Sequence, residues 1–359
     1  MHLTIVGAGA IGGVTGAYLI QAGHDVTFVD LEEEHVRVIN GRGLTIEGIR
    51  GTFTVPAKAI HPRDLRGPLQ RVIIAVKALH TESAARQMLP YLAEDGYIVS
   101  LQNGLNEETI AAVVGKERTI GAHINWAADY LEPGRILHGG TGSFYVGELD
   151  GQISPRVQDL ARVFSDFTDT RVTDNIWGYL WSKHSLASIT YATAIVDADV
   201  VDVLAGEAHR RTVIATVAES IETAARNGIR LQPFDGFEPD LMRPKTAAEW
   251  ERAVASIDAI LDAEWRQLKR RSGIWRDLAV RKRKTEVDLR VTDLARRGRA
   301  AGVDMSLNEK LADLVHEIEE GKRPLAWENI EELGTLARSL GRTGPEPIAI
   351  PASPGPSSE

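Results

Sequence analysis

Gly7-Ala8-Gly9-Ala10-Ile11-Gly12 is a G-x-G-x-x-G stretch, set between the short apolar run Leu3–Val6 and the helix-like composition of Thr15–Ala22. In a strand–turn–helix setting each glycine has a task. The first permits the tight turn, the second lets the backbone approach a pyrophosphate, and the third lets helix and strand pack closely. The helix N-terminus adds free N–H groups and the positive end of its dipole. A glycine-rich turn alone binds nothing, so the surroundings decide. A second apolar, β-branched run, Asp25–Asp30, ends in an acid eighteen residues after Gly12. A carboxylate at that place accepts hydrogen bonds from the ribose of a dinucleotide. Gly7, Ala8, Gly9, Ala10, Ile11, Gly12 and Asp30 are therefore read as cofactor-binding residues. Asp30 and the following Glu32-Glu33-Glu34 would repel a 2′-phosphate, so NAD(H) is expected over NADP(H), with NADP(H) left open.

Outward from this unit, Val72-Ile73-Ile74-Ala75-Val76 and Tyr97–Leu101 are continuous apolar runs, as strands buried on both faces of a parallel sheet are. Leu44–Ala57, interrupted by Gly48 and Gly51, reads as an inserted hairpin. From about Asp174 the patterns become long and helical: Ile176–Val196, Ala208–Asn227, Ala247–Lys269, Glu286–Ala301 and Asn308–Gly321. Gly228, Gly302 and Gly321 sit at helix stops. After about Gly341 the chain is rich in Gly, Pro and Ser. The expected fold is α/β: an N-terminal Rossmann domain with a parallel sheet (1–173), an all-helical C-terminal domain (174–340) and a flexible tail (341–359).

Composition narrows the function classes. The 359 residues carry 41 basic and 50 acidic side chains, a formal charge of −9, which disfavours general attraction to nucleic acid or an anionic membrane. With no cysteine, disulfides, thiolate metal sites and a cysteine nucleophile are excluded. No apolar run approaches the roughly 18 residues of a membrane span. Met1 leads straight into the first strand and the glycines without a basic leader segment, so a cytoplasmic protein is expected. No His/Asp/Glu spacing suits a metal. The expected partner is a small-molecule substrate, not nucleic acid or membrane, and a homodimer is left open.

Five motifs in order then carry a resemblance: Gly7-Ala8-Gly9-Ala10-Ile11-Gly12-Gly13, Val76-Lys77, Asn103-Gly104, Trp181-Ser182-Lys183 and Thr285-Glu286-Val287-Asp288. Together, over about residues 1–321, the chain resembles the ketopantoate reductase (2-dehydropantoate 2-reductase) family. The resemblance implies hydride transfer between a nicotinamide cofactor and a 2-keto acid or its alcohol, in a cleft between the two domains. It implies that Lys183 is the catalytic acid and that Glu286 is a catalytic carboxylate orienting lysine and substrate. Asn103 would lie beside nicotinamide and substrate, and Lys77 near the cofactor phosphates. Substrate-binding positions are where the chain departs from the family. Ala187 and Tyr191 stand where asparagines are common, and the usual serine falls on Ile274, with Ser272 close by. Loss of those polar partners implies a bulkier substrate than ketopantoate. A true 2-dehydropantoate 2-reductase, a relative acting on an imine or a β-hydroxy acid, and a non-catalytic NAD(H)-sensing module are the alternatives.

The residues also read on their own. Lys183 shares a helical stripe with Tyr179, Leu180, Leu186, Ala187 and Tyr191, so it must snorkel, find an acid or serve a site. Thr285-Glu286-Val287-Asp288 doubles as a capping-box signature, so Glu286 either only stabilises the helix dipole or faces the cleft while Asp288 caps. Lys77 follows a buried strand at its carboxyl end, where ligands of open α/β sheets bind. Asn103-Gly104 is also an ordinary turn dipeptide. Asn125-Trp126 and His138 are candidate cleft residues. The Trp177, Trp181 and His184 spacing suggests packing, and His209-Arg210-Arg211 suggests surface. The basic segment Arg266–Lys284 reads first as a solvated helix face and second as an attractor of an anionic substrate.

Overall fold

The structure, a computed structural model, describes residues 2–265 and 270–345. The first unit is β1 (His2–Val6), α1 (Ala10–Gln21), β2 (Asp25–Val29) and α2 (Glu33–Arg42). The inserted segment is β3 (Leu44–Gly48), β4 (Phe53–Val55) and β5 (Lys58–Ile60). Then come β6 (Leu69–Ile74), α3 (Thr81–Met88), β7 (Leu92–Ser100), α4 (Asn106–Val114) and β8 (Thr119–Ile124). The first half closes with β9 (Ala127–Glu132), β10 (Arg135–Gly140), β11 (Phe144–Glu148), α5 (Pro155–Ser165) and β12 (Thr170–Val172).

Eight of these strands form one sheet in the order β12-β11-β8-β7-β6-β1-β2-β5. Its central strands pair in parallel, with Leu3, Ile5, Ile73, Ile74, Ile98 and Val99 fully buried, as the unbroken apolar runs require. The sheet is not purely parallel, because β11 runs antiparallel to β8. Leu44–Ala57 does contain a hairpin, β3 with β4, but the hairpin belongs to a second sheet of four strands, β4-β3-β10-β9. There β3 pairs in parallel with β10, about ninety residues later, a partner that no local pattern could announce. This sheet packs on α1. A Cβ at Gly13 would come within 2.1 Å of Ile136 Cδ1, so the glycine allows the approach.

The second half is helical: α6 (Ile176–Ala194), α7 (Val200–Val203), α8 (Glu207–Arg226), α9 (Ala247–Ile260), α10 (Gly273–Ala279), α11 (Asp293–Ala300), α12 (Ser306–Glu319) and α13 (Trp327–Ser339). Asn175 caps α6, its side chain accepting from the Gly178 N–H at 3.1 Å. Within α6, Lys183 and His184 are the only acidic or basic side chains, and nearly every residue is buried. The helix is therefore a central beam rather than a surface element. In this half three helices escape the sequence reading: the short α7, the short α10 inside the basic segment, and α13.

Several expectations need correction. Thr285 and Asp288 form no capping box: the Thr285 hydroxyl donates to Glu319 at 2.7 Å, and Asp288 lies 3.1 Å from His316. The box is at α9 instead, between Thr246 and Glu249. His209-Arg210-Arg211 is not plain surface, because Arg211 is buried and Arg210 forks onto Asp258 at 2.9 Å. The tail is held at its start: Arg342 pairs with Glu219 and Asp304, and the Thr343 and Pro345 carbonyls accept from Arg211. The rest of the expected tail, 346–359, and the end of the helix read as Ala247–Lys269 lie outside the described residues.

Candidate active site

At the carboxyl ends of β1 and β6, facing α6, a cleft of about 570 Å³ opens between the sheet domain and the helices. Open α/β sheets bind ligands at this edge. Gly7, Gly9, Ala10, Ile11 and Asp30 line one end of it, while Ala8 and Gly12 are buried behind them. Gly7 holds φ +96°, and a Cβ on Gly12 would meet the Gly7 carbonyl at 2.0 Å. A Cβ on Gly9 would meet nothing within 4 Å. The loop thus leaves open space over Gly9, where a pyrophosphate needs close approach to backbone, and the first N–H groups of α1 face the same space. The Asp30 carboxylate accepts from the Ala8 N–H at 2.7 Å and from the Glu32 N–H at 2.9 Å. It does not cap α2, whose N-cap is Glu32. A carboxylate has about four acceptor positions, and two remain for ribose hydroxyls. These residues fit a dinucleotide.

The other end of the cleft is lined by side chains from distant segments. Lys183, Ala187 and Tyr191 come from α6, Ser272 and Ile274 from the start of α10, and Glu286 and Arg290 from the segment before α11. Lys77 and Asn103 enter from the sheet side. All the residues expected at the substrate end therefore converge. The Lys183 ammonium donates to the Ile124 carbonyl at the end of β8. Beside it His123 is fully buried, and burial together with the Lys183 charge holds its imidazole well below the usual range. His123 is thus neutral next to the ammonium. Burial raises the Tyr191 phenol above its ordinary range, so this side chain is neutral too.

Glu286 departs from its expected contact. One carboxylate oxygen accepts from the Ala78 N–H at 2.7 Å and the other lies 4.0 Å from the Lys77 ammonium, so it grips the loop after β6 rather than Lys183. Ser272 caps α10, its hydroxyl oxygen accepting from the Trp275 N–H at 3.1 Å, which leaves its O–H as a donor toward the cleft. Of the loop candidates, Asn125 and Trp126 line the cleft. His138 does not: it is buried on β10, 3.1 Å from the Tyr18 hydroxyl. Among the described residues the basic segment is solvated at 280–284 but buries Ser272, Asp277 and Leu278 around α10. Arg281 and Arg283 line the cleft while remaining exposed, and both donate to Asp277, at 2.9 and 3.1 Å.

Three groups were not singled out from the sequence. Asp277 is buried and gathers Lys77 at 3.7 Å with Arg281 and Arg283. Asp235, on a turn with φ +41°, accepts from the Asn125 side chain at 2.8 Å and from the Ser143 N–H and hydroxyl at 2.9 Å. It thereby ties the helical half to the loop that follows Ile124. Arg290 had a readable signal, being a charged residue between Val287, Val291 and Leu294 on a buried helical face.

The family profile described as "Ketopantoate reductase PanE/ApbA" matches residues 3–151, and its C-terminal counterpart matches residues 175–319. The chain belongs to the ketopantoate reductase family. Members of this family are NAD(P)-dependent oxidoreductases acting on CH–OH groups. A 2-dehydropantoate 2-reductase of Archaeoglobus fulgidus is 28% identical over 322 residues, covering 89% of this chain and 98% of the relative. The crystal structure of a PanE/ApbA family ketopantoate reductase from Ralstonia eutropha JMP134 superposes with a TM-score of 0.74 at 27% identity, covering 89% of this chain and 99% of that one. D-mandelate dehydrogenase, solved with NADH and anilino(oxo)acetate, shares the fold with a TM-score of 0.77 at 22% identity over the same shares. Among the described residues no helix is long and apolar enough to cross a membrane.

Proposed function

We propose that this ketopantoate reductase-family chain interconverts a 2-keto acid and its 2-hydroxy acid, with a substrate bulkier than ketopantoate and with NAD(H) preferred. Residues 1–173 would hold the cofactor and residues 174–340 the substrate. The observation that carries the reading is the convergence of Lys183, Asn103 and the open glycine loop on one cleft. A bound nicotinamide would supply or accept the hydride at the substrate carbon. Lys183 reaches the cleft from a buried helix and is held by the Ile124 carbonyl. From there it donates a proton to the oxygen of a carbonyl being reduced, or takes one from the alcohol in reverse. Glu286 and Lys77 hold the 77–78 loop against the substrate half. Asn103, on the exposed turn after β7, offers an amide to the substrate oxygen or the nicotinamide carboxamide.

The substrate preference rests on Ala187, Tyr191 and Ile274, which make this wall apolar. A polar substrate group left without a partner there costs about 1–3 kcal/mol. Following the absorbance of reduced nicotinamide against a panel of 2-keto acids tests the proposal. Turnover should be best for branched or aromatic side chains. Efficient reduction of ketopantoate, at kcat/KM near 10⁵ M⁻¹s⁻¹ or above, would overturn the substrate assignment, and no turnover of any 2-keto acid would overturn the reaction.

A further inference from the structure

Arg290 is 7% exposed and lines the cleft beside Lys183, Tyr191 and Glu286. Its guanidinium makes one hydrogen bond, from Nη2 to the Lys183 backbone carbonyl at 3.3 Å, and its buried Nε has no partner among the described residues. No carboxylate among the described residues pairs with it. The acid nearest in the cleft wall, Glu286, is engaged by Ala78 and Lys77. The other cleft arginines differ, since Arg281 and Arg283 both pair with Asp277. Burial accordingly pulls the Arg290 guanidinium below its ordinary range. An arginine cannot shed its proton to escape this cost, and an uncompensated buried charge is strongly destabilising. Tyr191 and Glu286 offset part of this cost through space, and an anion bound against the guanidinium would offset more of it.

We propose that Arg290 is the anchor for the carboxylate of the substrate, replacing the polar partners that Ala187 and Tyr191 no longer provide. The inference rests on the proposed 2-keto acid chemistry and names the group that reads it. In a 2-keto acid the carboxylate and the reacting carbonyl occupy adjacent carbons. A site that serves both needs a fixed cation close to its proton donor, and Arg290 is bonded to the backbone of Lys183 itself. The planar guanidinium matches a carboxylate in a two-point contact that an ammonium cannot reproduce. With the acid end held there, the side chain of the substrate lies toward the apolar wall of Ala187, Tyr191 and Ile274. Neutral ketones, and the amides or esters of the same acids, lack the anchored group.

The experiment uses the full chain saturated with NADH and titrates oxamate, a non-reducible 2-keto acid isostere, by calorimetry. Wild type should bind it, Arg290→Leu should bind about 100-fold more weakly, and Arg290→Lys should fall between. NADH affinity measured on the same variants should stay within about twofold of wild type, which reports that they fold. If Arg290→Leu does not fold, Arg290→Lys alone decides, with a loss of at least about fivefold expected. Failure of wild type to bind oxamate, or binding by the variants within about threefold of wild type, overturns the anchor. Arg290-dependent oxamate binding without turnover of any 2-keto acid supports the anchor while removing the proposed reaction. Where turnover is found, the preference for an acid over its amide should collapse in Arg290→Leu, and an unchanged preference overturns the proposal.

Discussion

On the cofactor side of the cleft, Gly7, Gly9, Ala10 and Asp30 lie within one β1–α1–β2 unit and act chiefly through backbone geometry. On the substrate side, Lys183, Ser272, Glu286 and Arg290 come from three separated segments and act through side chains. The first arrangement follows from local chain conformation, so it survives changes elsewhere in the molecule. The second exists only once α6, α10 and the approach to α11 have packed against the sheet. On the proposed reading, cofactor recognition rests on one local unit and substrate recognition on side chains that only packing brings together.

The sharpest break of the two sides is Lys183→Ala. Turnover should fall by about 10²–10⁴-fold, the usual worth of general acid–base help, while NAD(H) binding measured by nicotinamide fluorescence stays near wild type. A variant turning over within about threefold of wild type would show that the substrate side does not depend on this lysine.

A second test concerns Glu107, at the start of α4 behind the sheet end of the cleft. It is fully buried, and burial pushes its carboxyl up to about 8. Because the folded-state value lies above the ordinary one, the folded protein holds this proton more tightly. The associated stability is fully present below the ordinary carboxylate range and is lost as pH rises toward 8 and past it. Glu107→Gln should therefore melt higher than wild type at pH 8.5 and close to it at pH 4. The gain at high pH should be of the order of a few kcal/mol, read by calorimetry. Equal differences at both pH values would show that the group is not held protonated.

The cofactor side is probed by nucleotide choice. NAD(H) should exceed NADP(H) by at least about tenfold in kcat/KM, about 1.4 kcal/mol. Asp30→Ala should narrow that gap chiefly by weakening NAD(H), since it also frees the Ala8 N–H. Equal or better kinetics with NADP(H) in wild type would show that Asp30 does not read the ribose. The smallest effect is expected at the seam between the two sides. Asp235→Ala removes three hydrogen bonds to Asn125 and Ser143, and should cost about 1 kcal/mol or somewhat more. A lowered Tm with kcat reduced more than KM is raised would mark the loop after Ile124 as a support for Lys183. An unchanged Tm and kcat would make the seam inert.

Much of this is legible in the sequence. The glycine spacing, the acid ending the second strand and the apolar runs are short-range signals, and each led to the element found. The lysine in the apolar pattern of α6 was conspicuous for the cost of burying a charge, but the pattern left snorkelling, an acid partner and a site all open, and only the family resemblance chose the site. The second sheet was not legible, because β3 and β10 meet only after about ninety residues of intervening chain. The Thr285–Asp288 stretch has the composition of a capping box but spends its hydroxyl on Glu319, and a local signature cannot show that competition. Arg283 and Asp277 looked like parts of a solvated charge pattern, yet their pairing builds a wall of the cleft.

Sequence alone determined the dinucleotide-binding unit, the helical second half and the residue types available for proton transfer, because backbone turns, strand burial and helical periodicity are properties of neighbouring residues. Tertiary structure alone decided which charges are spent on one another and which remain for a ligand. Glu286 is taken by Ala78 and Lys77, Arg281 and Arg283 are taken by Asp277, and Arg290 keeps a buried guanidinium that no carboxylate among the described residues pairs with. Whether a charge is neutralised depends on distances across the fold and on exclusion of water, and neither is encoded in the spacing of residues along the chain.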